Sequence, residues 1–299
     1  MKNKGQHYIT RSYQSNFSDK DNLVWVSTET GKIFKTSPEN IFKEKHFYTV
    51  KLPGFPKPLF VENTLAGFEG DFSNVIKNRI AHSAAISDKE RLSVSVFVAL
   101  MQTRTKILRE SFRDFFNRVI ADGEVLKAEM KKRPQLKQLY SIESGKNSIS
   151  MEELKEGMKS FDSQFALTTI GIAIKKPPRL IFNMEWIFFI APDSKFFICS
   201  DSPVYTCSPA REKKYGRDTF GARAGLGHAD VELTMPISST IALFGHWNEK
   251  NKRGINYINA SERQVEEINL RTMRGAKNLI CGDKETLEKI LKKEFRGKS

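Results

Sequence analysis

The sequence predicts an α+β fold: a helical first half with a small N-terminal hairpin, packed on an antiparallel sheet formed mainly by the second half. Three observations carry that expectation. Apolar residues recur at helical spacing from Leu59 to about Val119, strand-like aromatic and β-branched runs follow Pro177-Pro178, and two short apolar runs flank a glycine turn near the N-terminus.

Thr10 has the residue type and position of an N-cap for a short helix ending near Phe17. Leu23–Val26 and Ile33–Thr36 flank Glu29-Thr30-Gly31-Lys32, the pattern of a β-hairpin. Ser37-Pro38-Glu39-Asn40 starts another short helix, because proline in a first turn forgoes an N–H that would have no partner there. His46-Phe47-Tyr48-Thr49 reads as extended, and Pro53, Pro56 and Pro58 form a connector.

From Leu59 to about Ala81, Val61, Leu65, Phe68, Phe72, Val75, Ile76 and Ile80 predict a long amphipathic helix. Ser87-Asp88-Lys89-Glu90 is a capping box. It opens a central helix whose stripe Phe97, Met101, Arg104, Leu108, Phe112, Phe115, Val119 runs until Gly123. Residues 124–160 are charged and weakly periodic, with a second capping box at Ser150–Glu153, and read as a helical insertion on the surface. Met184–Ile190 and Phe196–Ser200, joined by Pro192-Asp193-Ser194, read as a second hairpin, with Val231–Met235 and Thr240–Trp247 as further strands. Ala260–Ala276 and Lys284–Lys293 are helical, interrupted at Cys281-Gly282-Asp283. With no Gly/Ser linker and no repeat, residues 1–299 are expected to form one domain.

Composition limits the function classes. The chain has 299 residues, 39% of them hydrophobic, and the longest apolar run is only Trp186–Ala191, so no membrane span or membrane partner is expected. The basic N-terminus is followed by no apolar segment, and Cys199, Cys207 and Cys281 have no Cys-x-x-Cys spacing. These features point to the cytoplasm and exclude a zinc ribbon or a disulfide framework. The net charge is +14, and residues 1–58 together with 248–299 carry +10 of it. Basic ends attract polyanions, which makes RNA or DNA the first partner to consider; a solvated helix face with a frayed tail accounts for the same charges.

Three constellations stand out. Arg104 lies in phase with Phe97, Met101, Leu108 and Phe112, so its guanidinium points into the core and needs a partner or a ligand. Glu69 is the nearest candidate, being in phase with Leu65, Phe72 and Ile76. Ser200-Asp201-Ser202-Pro203 places Asp201 at a strand end, where a carboxylate serves as base or metal ligand, or simply closes a turn. His7-Tyr8 with Arg11 offers a near-neutral general acid or base beside an anion clamp. No Walker loop, dinucleotide fingerprint, His-Glu-x-x-His or nucleophile elbow is present. Pro192-Asp193 with Glu212-Lys213-Lys214 formally resembles the pattern of metal-dependent restriction-type nucleases, but Glu212 falls in an expected loop instead of on a second strand.

The opening His7–Tyr13 with Phe17, the segment Thr30–Asn40, Phe47-Tyr48, Glu69, Arg104, Phe197–Pro203, Leu233–Pro236 and Asn269 together resemble the bacterial domain-of-unknown-function family 4238. Coverage is nearly full length. The chain departs from the usual pattern at Gln14, where the family has Leu, and in the longer charged stretch 124–160. The resemblance implies positions and no reaction. It gathers His7, Arg11, Glu69, Arg104 and Asp201 into one site drawn from both halves of the chain.

The resulting expectation is a bacterial cytoplasmic protein acting on nucleic acid, a nuclease or nuclease-like toxin in defence. Arg104 and Arg11 would hold phosphate with Tyr8 and Ser200 beside them, His7 would be general acid or base, and Asp201 with Glu69 would bind a divalent metal or orient water. The alternatives are a non-catalytic nucleic-acid or protein-binding module and an enzyme acting on a small nucleotide.

Overall fold

The structure is a computed structural model that describes residues 5–55, 59–133, 149–216, 224–248 and 253–296. Strand β1 (Gly5–His7) pairs antiparallel with β4 (Lys43–Lys45), and Thr10 caps helix α1 (Arg11–Ser15) by accepting the Tyr13 N–H. The expected hairpin forms from β2 (Val24–Ser27) and β3 (Ile33–Thr36), with Gly31 at φ 78° supplying the left-handed turn residue. Pro38–Asn40 is a single 3₁₀ turn capped by Ser37. The extended segment lies one turn earlier than expected: His46–Tyr48 is a turn entered at φ 61° for His46, and it buries Phe47 and Tyr48 instead of laying them along a strand.

Helix α2 (Phe60–Asn78) follows the expected stripe, burying Val61, Leu65, Phe72 and Val75. The Ser87/Glu90 capping box opens α3 (Asp88–Thr103). That helix does not run on to Gly123. It ends at Arg104, Thr105 caps a new helix α4 (Lys106–Lys132), and Gly123 lies inside α4. The spacing of apolar residues passes unbroken through the junction, so periodicity alone conceals the break. Phe112, Phe115 and Val119 consequently leave the core and are 37–55% exposed.

Residues 124–132 continue α4, and α5 (Met151–Lys159) forms at the second capping box with none of its residues buried; residues 134–148 of the expected insertion lie outside the described residues. Helices α6 (Phe161–Ala173) and α7 (Lys176–Asn183) follow, Pro177 and Pro178 occupying the first turn of α7 instead of marking the start of the strands.

Two larger sheets complete the fold. The five-stranded sheet has the order β10-β5-β9-β8-β7, with β5 (Glu185–Ile190), β7 (Tyr205–Cys207), β8 (Glu232–Pro236), β9 (Ile241–His246) and β10 (Ile255–Asn259). It is mixed, because β10 runs parallel to β5. Along β5, Trp186 and Phe188 belong to the main core formed with α2 and α3, while Phe189 enters a second cluster with Val265 and Ile268. Burial on both faces explains why β5 is a continuous apolar run. The four-stranded sheet has the order β3-β2-β11-β6, with β6 (Cys199–Ser200) and β11 (Leu279–Cys281). The expected hairpin of residues 184–200 is therefore split: after Phe197 donates to the Ser239 carbonyl, the chain crosses to pair with β11. The N-terminal hairpin is an integral half of this second sheet. Helix α8 (Pro209–Tyr215) occupies the stretch read as a loop around Glu212, while α9 (Glu262–Arg274) and α10 (Lys284–Arg296) cover the sheets. At Gly282, an added Cβ would meet the Phe17 carbonyl at 2.9 Å, so glycine permits β11 to pass the end of the α1 segment. Among the described residues, no helix is long and apolar enough to cross a membrane.

Arg91 joins the two halves. It is 3% exposed, stacks over Trp186 at 4.1 Å, and donates to the carbonyls of Phe182 (2.8 Å), Met184 (2.5 Å) and Gly254 (3.4 Å). A single guanidinium thus ties α3 to the end of α7 and to the start of both parallel strands. Arg91→Leu should destabilise the protein by at least about 2 kcal/mol, since it strands buried carbonyls. Urea unfolding of the variant beside the wild type tests this, and a difference within about 0.5 kcal/mol would contradict it.

Candidate functional site

The alternation of β1 sends Gln6 inward and His7 outward. Gln6 is buried, donating to Glu62 at 2.8 Å and accepting the Tyr48 N–H at 2.7 Å. His7 lies half-buried beside the 3₁₀ turn, its Nε2 3.2 Å from the Glu39 carbonyl. A carbonyl oxygen only accepts, so in the neutral ring Nε2 carries the hydrogen and Nδ1 is left as an acceptor. Burial lowers the His7 pKa from the ordinary 6.5, against an opposing pull from the Glu39 carbonyl, which favours the neutral ring at pH 7. Arg11, at the first position of α1, is exposed and sits 3.7 Å from the Glu39 carboxylate. Glu39 thus binds His7 through its backbone and Arg11 through its side chain.

Arg104 occupies the junction between α3 and α4 and is 0% exposed. Its Nε donates to the Tyr8 carbonyl at 2.9 Å and its Nη1 to Glu69 Oε1 at 2.7 Å, while Nη2 is buried with no hydrogen-bond partner among the described residues. The Arg104–Glu69 pair anticipated from helical phase therefore forms, although Arg104 ends a helix instead of lying midway along one. Tyr8 points the other way, its ring against Phe42 and Phe47 with centroids 6.1 and 5.3 Å apart. Burial, reinforced by the charges of Asp201, Glu44 and Glu110, raises the Tyr8 pKa well above 10 and keeps the hydroxyl protonated.

Asp201 follows β6 directly and is 3% exposed. Its Oδ1 accepts the Lys277 N–H at 3.0 Å, its Oδ2 accepts Asn278 Nδ2 at 2.6 Å, and its own N–H reaches the Asn278 carbonyl at 3.1 Å. Those bonds close the turn between α9 and β11 against the end of β6. Ser200 is fully buried, its hydroxyl accepting the Ser202 N–H at 3.1 Å. Asn269 fixes the same strand from α9 by accepting the Ile198 N–H (2.9 Å) and donating to the Phe196 carbonyl (2.8 Å).

Between these two groups runs a chain of charges that the sequence did not single out. Arg109, 4% exposed, lies 4.0 Å over the Phe47 ring and pairs with Glu44 at 2.5 Å. Lys106 joins Glu44 (3.2 Å) to Glu110 (3.7 Å), and Lys277 stands 3.8 Å from Glu110 and 3.6 Å from Glu29. Beyond Lys277 opens a groove of about 860 Å³ between the β2–β3 turn, the end of α9 and the middle of α10. Recognition of Thr105 as a cap would have placed Arg109 one turn into α4, beside the core; nothing in the sequence marks Asn278.

The expected residues thus divide. His7 and Arg11 flank Glu39 at the N-terminal turn, Arg104 and Glu69 are joined to each other and to the Tyr8 carbonyl, and Asp201 and Ser200 belong to the β6–β11 corner. Of the residues expected to bind a divalent metal, Glu69 accepts from Arg104 and Asp201 from Lys277 and Asn278, and no group of three or more His, Cys, Asp or Glu side chains converges among the described residues.

Burial outweighs these hydrogen bonds and raises the Asp201 pKa above its ordinary 3.8. A carboxyl whose folded value lies above its unfolded one contributes most stability below the unfolded value and loses it as pH rises through the folded value. Wild-type stability minus that of Asp201→Asn should therefore decline as pH rises from about 4. Urea unfolding across pH measures the difference, and a constant or rising one would contradict the assignment.

The comparisons with known proteins bear on this arrangement as a whole. No curated protein and no solved structure gives a significant match. A family model described as "Protein of unknown function (DUF4238)" matches residues 5–286, a span that takes in His7, Arg11, Glu69, Arg104, Asp201 and Asn269. The chain belongs to the DUF4238 family.

Proposed function

We propose that the protein acts on RNA, with His7 as general base and Arg11 as the phosphate-holding residue. The observation that carries this reading is the His7–Glu39–Arg11 arrangement, in which a backbone carbonyl orients a neutral imidazole beside an exposed guanidinium. The net charge of +14 supports a polyanionic ligand. RNA is favoured over DNA because it carries its own nucleophile within reach of a single base. His7 Nδ1 would take the proton of a 2′-hydroxyl, the 2′-oxygen would bond to phosphorus, and the bond to the 5′-oxygen would break, that oxygen taking a proton from solvent. Arg11 would offset the charge gathering on the phosphate oxygens. In this reading Arg104, Glu69 and Asp201 position the N-terminal turn and stay clear of the reacting atoms.

Cleavage of single-stranded RNA by the purified full-length protein in the presence of chelator tests the proposal. Activity should fall about 100-fold or more in His7→Ala, with a weakened salt-dependent affinity in Arg11→Ala. Its acid limb should lie below pH 6.5, following the lowered His7 pKa. A folded His7→Ala variant that cleaves as well as the wild type would refute the assignment. Salt-sensitive retention of RNA with no turnover would favour a binding module, a reading supported by the pairing of the buried Arg104 with the partly exposed Glu69.

A further inference from the structure

The longest helix leaves an apolar seam uncovered. On α4, whose one buried residue is Arg109, Phe112, Phe115, Val119 and Leu126 are 43, 55, 37 and 39% exposed. The inner side of the helix is occupied by α5 and α6, where Phe116 meets Phe161 and an edge of Phe112 reaches Phe165. Together with the exposed Asp122, the four apolar residues step 3, 4, 3 and 4 along the chain, the spacing of a two-helix seam. Exposed apolar stripes of this length mark association surfaces.

We propose that this face is where two copies of the chain associate, α4 packing antiparallel on α4 about a two-fold axis. Charge selects both the occupant and the direction. Asp122 stands in the seam, and Arg118 flanks it; neither makes an ion pair within the chain among the described residues. In a parallel pair, Asp122 would face its own copy across an apolar seam, a like-charge contact that disfavours the arrangement. An antiparallel pair centred between residues 120 and 121 sets Phe115 against Leu126 of the second copy and Val119 against its Asp122. Arg118 is then adjacent to that same Asp122. The symmetry makes each contact twice, so the Arg118–Asp122 contacts are reciprocal, as an isologous interface requires. The apolar residues supply the attraction, and the Arg118–Asp122 contacts fix register and direction.

Sedimentation equilibrium of the full-length protein over a concentration series tests this, with thermal melts confirming that each variant is folded. The wild type should dimerise, Phe115→Ser should shift the midpoint at least about tenfold toward monomer, and Arg118→Glu should do likewise by setting two acidic residues together. The swapped variant Arg118→Glu/Asp122→Arg should recover the dimer, because the charges are exchanged in both copies. A wild type that stays monomeric throughout would overturn the proposal, leaving the face to another partner. So would a dimer indifferent to Phe115→Ser, and a swapped variant as weak as Arg118→Glu alone would overturn the antiparallel register.

Discussion

The buried guanidinium of Arg104 is the constraint on which the N-terminal architecture depends. A charge with no solvent exposure is tolerable only when hydrogen bonds replace its hydration, and here those bonds go to Tyr8 and to Glu69. The first ties the segment before α1 to the α3–α4 junction, and the second ties that junction to α2. Three pieces of chain far apart in sequence are thereby held at one point. Arg104 also sits where the backbone leaves α3, so the same residue that satisfies the charge sets the direction in which α4 departs.

Asp201 performs the corresponding task at the other edge. It accepts from the Lys277 N–H and Asn278 and holds the corner where β6 and β11 meet, in the sheet that the N-terminal hairpin completes. Tyr8 is held at its carbonyl by Arg104 and at its ring by Phe42 and Phe47. Next to this anchored residue, His7 and Arg11 are arranged around Glu39, which accepts from one through its carbonyl and pairs with the other through its carboxylate.

Much of this was legible in the chain, and the limits have identifiable causes. Three of the helix starts were readable because Ser87, Ser150 and Thr10 are local caps whose chemistry does not depend on the rest of the fold. The Arg104–Glu69 pair was readable because a charge on an apolar stripe demands a partner. The helix break at Arg104 was hidden, since apolar spacing continues across it and only Thr105 signals a new start. Strand partners were the least accessible: β5 and β6 are both buried on two faces, so nothing local says that one pairs with β9 and β10 while the other crosses to β11. The short strands β7, β10 and β11 owe their state to neighbours distant in sequence. The sequence grouped the candidate residues as one cluster, whereas the fold sets His7 and Arg11 at the N-terminal turn apart from the buried Arg104 and Asp201.

The central claim, that Arg104 and Glu69 act as one unit organising the N-terminal segment, is tested most directly by a double-mutant cycle. Urea unfolding would be measured for the wild type, Arg104→Met, Glu69→Gln and the double variant. Mutual dependence predicts a coupling energy above about 1 kcal/mol, with the double variant losing less stability than the sum of the two single losses. Single losses that add to within about 0.3 kcal/mol would contradict the account and leave the Tyr8 carbonyl as the only partner that matters to Arg104.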